Sequence, residues 1–270
     1  FKGRAIVDIS REFLNTNGVK QTADAEICDR VTDWFDKKTG TDFVKETKKA
    51  LSDLNVCAKK GLSETFDSTI GARSVYMPWG GRNQLTPAIA MAAKICGDET
   101  DVCTVSAYGY SPYLMETSPF VGTIYSIVAS VSKVVATGAR YEDIRLTLQE
   151  FFERMTSDKK VWGVPASALL GAVYAQIGLS LGAIGGKDSM SGTFEHIHVP
   201  PTLISFALAP ANASRLISNV LKGGEKVWRL PVPKDGQYVP DFEKLKAVYR
   251  EVYKNIANGN ITFATVAENG

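Results

Sequence analysis

Histidine is scarce in this sequence, and its cysteines are few. The 270 residues contain two histidines and four cysteines, and no two cysteines form a CxxC motif. Structural zinc sites need several such ligands at close spacing, so the sequence argues against one. Two histidines also leave little room for a Ser–His–Asp triad. We expect the four cysteines to be reduced thiols of a cytoplasmic protein.

A large positive charge excess and a long uninterrupted apolar run are also missing. The formal net charge is +2, which is too small for the basic surface that nucleic-acid binding requires. A membrane-spanning helix needs about 18 consecutive apolar residues. Residues 119–139 come closest, but Ser126, Ser130 and Lys133 interrupt this segment. It predicts a largely buried helix, and we expect neither nucleic acid nor a membrane as a partner.

What the sequence does contain is an alternation of strand-like and helical segments. Hydrophobic residues make up 44% and charged residues 22%, as in ordinary globular domains. Residues 101–110 and 202–210 are typical of strands. Residues 86–95, which open on Thr-Pro, and residues 213–224 are typical of helices. The alternation predicts an α/β (α+β) fold, and a charged stretch at 153–165 predicts a domain boundary.

The segment IGGKDSMSG at residues 184–192 looks like a phosphate-binding loop but lacks the usual pattern. A P-loop reads GxxxxGK[ST]. Here Leu181 stands at the first glycine position and Asp188 at the Ser/Thr position. A GxGxxG fingerprint is absent as well, so neither common nucleotide motif explains the segment.

The residue types of this segment nevertheless suit a phosphate and a magnesium ion. Adjacent glycines let backbone N–H groups approach an anion, a lysine neutralises its charge, an aspartate suits Mg²⁺, and serines donate hydrogen bonds. The same residues also make an ordinary solvated turn, and composition alone leaves both interpretations open. The candidate ligands are Gly185, Gly186, Lys187, Ser189 and Ser191 for phosphate, and Asp188 for the metal.

Other polar residues give weaker signals. His196 and His198 alternate like strand neighbours, and a metal there would need a third ligand from elsewhere. Gln149 and Glu150 are either ligands or exposed side chains.

Two longer stretches resemble a known enzyme family. Residues 64–95, ETFDSTIGARSVYMPWGGRNQLTPAIAMAAKI, and residues 184–207, IGGKDSMSGTFEHIHVPPTLISFA, are similar to phosphoribosylformylglycinamidine synthase, the large amidotransferase of purine biosynthesis. The similarity includes residues 107–139 and 167–192 and covers nearly the whole chain. A related selenophosphate or thiamine-phosphate enzyme is a weaker interpretation, because the long match around TIGARSVYMPWGGRNQLTP counts against it.

The resemblance implies a domain layout. The family's synthase core has two pseudo-symmetric halves, each with an aminoimidazole-ribonucleotide-synthetase-like N-terminal domain followed by a C-terminal one, and this chain resembles the second half. In that layout, residues 1–22 are the tail of the first half and 23–60 are a helical linker. Residues 61–155 are the N-terminal-type domain, and 160–270 are a truncated C-terminal-type domain.

The resemblance also implies an activity. The family is an ATP-dependent ligase in which ammonia from glutamine converts formylglycinamide ribonucleotide to formylglycinamidine ribonucleotide. It implies ATP and Mg²⁺ as cofactors, and the first synthase half and a glutaminase domain as partners. The family's catalytic histidine and glutaminase cysteine lie outside this chain. We therefore expect no catalytic residue here and no activity from the fragment alone.

Three positions depart from the family pattern. Lys94, Ala129 and Lys133 stand where many members have acidic and amide ligands around an auxiliary nucleotide. A protonated lysine and an alanine cannot ligate Mg²⁺. A second hypothesis is therefore a non-catalytic scaffold half whose auxiliary nucleotide site is lost. Such a fragment could also associate with itself as a homodimer.

Overall fold

The computed structural model describes residues 1–16, 22–27, 29–30, 40–66, 68–96, 99–235 and 238–268. Part of the helical linker predicted at 23–60 therefore lies outside the described residues. The helices are α1 (Arg11–Thr16), α2 (Phe43–Ser52), α3 (Lys60–Ser63), α4 (Pro112–Thr117), α5 (Pro119–Ala136), α6 (Lys159–Leu179) and α7 (Phe242–Ala257). The strands are β1 (Trp79–Gly80), β2 (Thr86–Pro87), β3 (Met91–Lys94), β4 (Val102–Gly109), β5 (Arg145–Phe151), β6 (Ala183–Lys187), β7 (Thr193–Phe194), β8 (Ile197–His198) and β9 (Thr202–Asn212).

Five strands form one sheet in the order β3-β4-β9-β5-β6. The pairs β3–β4, β4–β9 and β9–β5 are antiparallel, whereas β5 and β6 are parallel. A parallel neighbour requires a crossover, and α6 provides it between β5 and β6. The crossover places the start of the GGKDS segment on an edge strand beside β5.

One face of the sheet is buried beneath helices. Strands β4 and β9 alternate buried and more exposed residues along most of their length, as expected when a strand packs one face against a core. Helix α5 lies against both strands, α6 packs along α5, and α7 contacts both helices. At the centre, the hydroxyls of Ser130 and Ser205 are hydrogen-bonded at 2.9 Å, fully buried between α5 and β9.

The two longest helices differ in burial. Both α5 and α6 are long and apolar enough to cross a membrane by length and composition, but α5 is mostly buried and α6 is mostly not. The core helix of a globular domain passes the same test, and the burial of α5 fits the buried helix predicted from its sequence. Helix α6 instead leaves apolar side chains exposed on one face: Leu169, Leu170, Val173, Tyr174 and Ile177.

Two predicted helices are wrong. Residues 86–95 form β2 and β3 because they pair with β1 and β4, and this pairing overrides the helix-start signal of Thr-Pro. Of residues 213–224, only Ala213–Arg215 form a short 3-10 turn. The carboxylate of Asp101 accepts hydrogen bonds from the backbone N–H of Ser214 (2.9 Å) and from its hydroxyl (2.7 Å), so this segment is tied to the start of β4.

The sheet continues across the stretch 153–165, where a domain boundary is predicted from the sequence. Strands from both predicted domains share the sheet, since β9 lies between β4 and β5. Helices α5 and α6, one from each side of that boundary, also pack together. Few contacts cross a true domain boundary. Residues 91–96 and 99–212 therefore form one structural unit.

The crossing of α5 and α6 generates a stability prediction. A Cβ atom at Gly171 in α6 would lie 2.3 Å from the carbonyl oxygen of Phe120 in α5. We expect Gly171→Ala to lower the free energy of unfolding by about 1–3 kcal/mol through overpacking, although alanine is normally the better helix former. Urea denaturation measures the change.

Gly61→Ala in α3 is the matched control. Nothing lies within 4 Å of a Cβ atom at Gly61, so we expect this variant to be neutral or stabilised by up to ~1 kcal/mol. Equal stability of the two variants would contradict the close α5–α6 contact.

Candidate functional site

The GGKDS segment begins as a strand rather than as a turn. Gly185, Gly186 and Lys187 belong to β6 and pair in register with residues 147–149 of β5. Every residue of β6 is exposed, and the strand lies at the edge of the sheet. The chain leaves the sheet only at Asp188. The segment thus lies at the carboxyl ends of two parallel strands, where ligands often bind in α/β sheets.

The two glycines of β6 have different roles. A Cβ atom at Gly186 would lie 2.2 Å from the carbonyl oxygen of Leu148, so only glycine lets β6 approach β5 this closely. At Gly185 nothing lies within 4 Å of an added Cβ atom. Gly186 is therefore required for packing, while the backbone at Gly185 is open to an approaching ligand.

The loop after Lys187 is held against the end of β5. The backbone N–H of Phe152 donates to the carbonyl oxygen of Ser189, and the N–H of Gly192 donates to the carbonyl oxygen of Phe152, both at 2.9 Å. A Cβ atom at Gly192 would lie 2.8 Å from that same Phe152 oxygen. The Ser189 and Ser191 hydroxyls are hydrogen-bonded to each other at 2.9 Å. The structure thus brings together, in an anchored loop, the two serines that the sequence predicts to bind phosphate.

Charged side chains at this edge are open to solvent. The Lys187 side chain is exposed and makes no hydrogen bond or ion pair within the described part of the chain. Asp188 is exposed too, and it lies near the half-buried Glu150 of β5. Burial and then the negative charge of Asp188 raise the pKa of the Glu150 carboxyl. Two like charges held together favour a bound cation.

The sequence identified Asp188 and Glu150 as candidate ligands but not that they lie near each other. Glu150 precedes the end of β5, and the register Gln149–Lys187 brings Asp188 alongside it. Because the register of a parallel pair depends on the whole crossover, sequence spacing could not reveal that the two carboxylates are near each other. Among the described residues, no group of three or more His, Cys, Asp or Glu side chains could hold a metal ion. Two carboxylates and substrate phosphates are, however, a common Mg²⁺ arrangement.

The histidines after the segment do not form a metal site within the described residues. His198 Nδ1 lies 2.7 Å from Glu153 Oε2 and 3.5 Å from the Thr193 hydroxyl. This contact holds the β7–β8 hairpin to the chain that follows β5. His196 is exposed. Sequence reasoning missed the role of Glu153.

The three departures from the family pattern lie away from the GGKDS segment. Lys94 is in β3, at the sheet edge opposite β6, and Lys133 and Ala129 are in α5. The Lys133 ammonium donates to the carbonyl oxygen of Tyr108 at 3.0 Å and forms an ion pair with Glu268 at 2.5 Å. Only 5% of Lys133 is exposed. This buried ammonium is occupied by its partners, and a protonated lysine has no lone pair to offer a metal.

Known proteins provide an independent comparison. No protein-family model matches the chain. Phosphoribosylformylglycinamidine synthase subunit PurL of Thermoplasma acidophilum is 25% identical over 143 residues, which are 52% of this chain and 18% of that protein. Thermotoga maritima PurL in complex with AMPPCP matches 88% of this chain with a TM-score of 0.57 and 16% identity. The chain is similar to PurL. The resemblance predicted from the sequence is confirmed over part of the chain.

The structural likeness also confirms the α/β fold expected of an aminoimidazole-ribonucleotide-synthetase-like domain. Thermotoga maritima PurL in complex with FGAR matches 75% of this chain, with a TM-score of 0.53 and 18% identity. This chain spans 30% of that PurL structure, 35% of the AMPPCP-bound one and 18% of the Thermoplasma protein. At such low identity the structures show a common fold, and the ligands in them belong to the relatives.

The burial of Glu150 and the negative charge of the nearby Asp188 predict a pH dependence of stability. The ordinary pKa of the Glu150 carboxyl is 4.5, and the folded chain raises it. The stability from this carboxyl is therefore present below pH 4.5 and is lost as the pH rises through the raised folded pKa. We expect Glu150→Gln to increase the free energy of unfolding at pH 7 by up to about 1 kcal/mol. Denaturant unfolding between pH 4 and 8 measures the gain.

Two variants make this test specific. Asp188→Asn removes the nearby negative charge and should lower the Glu150 pKa, which carbon-13 NMR of the labelled carboxyl would report. Glu99→Gln changes an exposed carboxylate elsewhere and should leave stability unchanged within ~0.5 kcal/mol. A loss of stability in Glu150→Gln at pH 7 would contradict the repulsion.

Proposed function

We propose that the chain contributes one wall of a nucleotide- or substrate-phosphate-binding site in a phosphoribosylformylglycinamidine synthase. The observation that carries the proposal is an exposed lysine followed by an exposed aspartate at the carboxyl ends of β5 and β6, the one parallel pair in the described sheet. PurL structures of the same fold contain AMPPCP and FGAR, both of which carry phosphate. An open sheet edge, with a lysine side chain that has no partner among the described residues, fits one wall of a shared site.

Each residue of the segment has a proposed role. Gly185 gives backbone access to a phosphate, Gly186 keeps β6 close to β5, and Lys187 neutralises phosphate charge. The Ser189 and Ser191 hydroxyls can each turn toward a phosphate oxygen. Asp188, with Glu150 beside it, would hold Mg²⁺, which offsets the charge of a transferring phosphoryl group when bound.

The whole reaction requires more than this chain. In the synthase we infer, formylglycinamide ribonucleotide, ATP and glutamine give formylglycinamidine ribonucleotide in purine biosynthesis. The proposed partners are the first synthase half and a glutaminase domain, and the proposed location is the cytoplasm. The segment described above binds and positions phosphate, and we assign it no proton transfer, because Lys187 and Asp188 lie in open solvent.

A scaffold role is the second candidate, favoured by the surroundings of Lys133. Its ammonium is held between the Tyr108 carbonyl oxygen and the Glu268 carboxylate and lies 4.6 Å from the centroid of the Tyr108 ring. Lys133 stands where many family members have a ligand around the auxiliary nucleotide, and its ammonium is already bound by groups of the protein. In this alternative the chain packs against a pseudo-symmetric partner, or against a second copy, and its auxiliary nucleotide site is lost.

Nucleotide binding distinguishes the two candidates. We expect Mg·AMPPCP to bind the chain in isothermal titration calorimetry, and we expect Lys187→Ala and Asp188→Ala each to weaken binding at least tenfold, or ~1.4 kcal/mol. The physical reason is the loss of a phosphate-neutralising cation in one variant and of a metal-binding carboxylate in the other. Without Mg²⁺, Asp188→Ala should no longer weaken AMPPCP binding relative to the unaltered chain.

Matched controls are available on exposed surface elsewhere. Lys226→Ala and Asp8→Ala remove an exposed lysine and an exposed aspartate far along the chain from the segment. Binding should be unchanged in both. If neither the unaltered chain nor any variant binds the nucleotide, the scaffold role is supported and the binding role is wrong.

The resemblance implies that the family's catalytic residues lie outside this chain, and we therefore expect no turnover from it. We expect the 270-residue chain alone to release no phosphate from ATP in the presence of formylglycinamide ribonucleotide and ammonium, measured as inorganic phosphate over hours. Full-length synthase of a relative provides the positive control. Phosphate release that depends on both substrates would show that the chain contains a complete active site.

A further inference from the structure

We propose that Glu153 and His198 are positioning residues of the phosphate site, because their contact fixes the loop that contains Ser189 and Ser191. This inference rests on the proposed function and extends it to two side chains outside the GGKDS segment. His198 Nδ1 lies 2.7 Å from Glu153 Oε2. An ionised carboxylate can only accept a hydrogen bond, so His198 donates its Nδ1 proton to Glu153.

The serine loop, residues 188–192, connects β6 with β7. At its first end, the parallel pairing of β6 with β5 holds the chain through Lys187. At its other end, the loop continues directly into the β7–β8 hairpin, residues 193–198. The position of the serine loop therefore depends on how firmly this hairpin is held.

The β7–β8 hairpin exposes its apolar side chains. Its strands form the residue pairs Thr193–His198 and Phe194–Ile197, and the side chains of Phe194 and Ile197 are both exposed. A short two-stranded hairpin without a buried apolar face is at best marginally stable in water. Contacts with the rest of the chain must therefore keep it in place.

Two polar contacts tie the hairpin to the residues that follow β5. The backbone N–H of Arg154 donates to the Thr193 hydroxyl at 2.9 Å, and His198 donates to the Glu153 carboxylate. The same Thr193 hydroxyl lies 3.5 Å from His198 Nδ1, so the two contacts are adjacent. Because Thr193 is in β7 and His198 is in β8, both strands of the hairpin are held.

Hydrogen bonds at the base of the hairpin connect it to the serine loop. The N–H of Val199 donates to the carbonyl oxygen of Gly192 at 2.7 Å, and the N–H of Gly192 donates to that of Phe152 at 2.9 Å. Gly192 thus lies between the end of the hairpin and the end of β5. Ser191 directly precedes it, and the Ser191 hydroxyl is hydrogen-bonded to that of Ser189 at 2.9 Å. A displaced hairpin would therefore move both serines.

The exposure of the Glu153–His198 pair predicts a local effect. Side-chain exposure is 53% for His198 and 33% for Glu153, and ion pairs at such sites contribute little to global stability. Removing the pair should therefore leave the sheet and helices folded while the serine loop samples more positions. A site that is in its binding arrangement for a smaller fraction of the time has a proportionally weaker apparent affinity.

Amide hydrogen exchange of the 270-residue chain tests the loop without any ligand. We expect His198→Ala and Glu153→Ala each to speed exchange at the Gly192 and Val199 amides by about two- to fivefold, because these amides donate the bonds at the base of the hairpin. Exchange at Ala207, which pairs with both β4 and β5, should be unchanged and would show that the fold is intact.

Two variants in the same hairpin are controls. His196→Ala removes an exposed histidine of the turn and should leave exchange unchanged. His198→Asn keeps an N–H donor the same number of bonds from the backbone as Nδ1, and it should restore most of the protection that His198→Ala loses. A contribution from the bulk of the imidazole ring alone would not show this rescue.

Isothermal titration calorimetry with Mg·AMPPCP measures the consequence for binding. We expect His198→Ala and Glu153→Ala each to raise the Kd by about two- to fivefold. The double variant should raise it no further than either single variant, because both remove the same contact. His196→Ala and His198→Asn should bind like the unaltered chain.

The two measurements distinguish the positioning role from the proposed function. If the unaltered chain binds no nucleotide, the proposed function is wrong and so is the positioning role. If the unaltered chain binds nucleotide but both alanine variants bind it equally well, only the positioning role is wrong. Unchanged exchange at the Gly192 and Val199 amides in both alanine variants would overturn the positioning role in the same way.

Discussion

The position of β9 at the centre of the sheet is the constraint on which the rest of the structure depends. This strand pairs with β4 on one side and with β5 on the other, although it follows both in the chain. Its partner residues are distant in the chain, as in the pairs Val105–Ala209 and Leu148–Ser205, which are 104 and 57 residues apart. Closing such long loops costs entropy before the contacts form. The buried Ser130–Ser205 hydrogen bond then fixes β9 against α5. Only with β5 held in this way does β6 have a neighbour beside which to lie.

The sequence predicted those helices and strands that are specified by residues within the element itself. Ser118 caps α5, with its side chain accepting from the N–H of Val121, and Pro119 stands in the first turn. The alternation in β4 likewise corresponds to its buried and exposed faces. Predictions failed where residues distant in the sequence determine the secondary structure of a segment. β3 became a strand because β4 pairs with it, and the segment after Asn212 follows hydrogen bonds to Asp101.

The candidate site was likewise predictable in part: its residue types could be read from the sequence, but their arrangement in space could not. Its residue types were visible in the sequence, because glycine, lysine, aspartate and serine each have a known use around phosphate. Their geometry was not. Gly186 is required by the backbone of β5, a neighbour that the sequence does not identify. The nearness of Asp188 to Glu150 follows from the parallel register of the two strands. The fold therefore adds a second carboxylate, that of Glu150, to the one that the GGKDS segment already contains.

The central place of β9 also determines how the chain can be divided. A piece that ended near residue 155 would keep β4 and β5 but lose the strand between them, and each would present a row of unpaired N–H and C=O groups. Exposed strand edges of this kind attract other strands and lead to aggregation. Any shorter version meant to remain folded must therefore extend at least through Asn212, the last residue of β9.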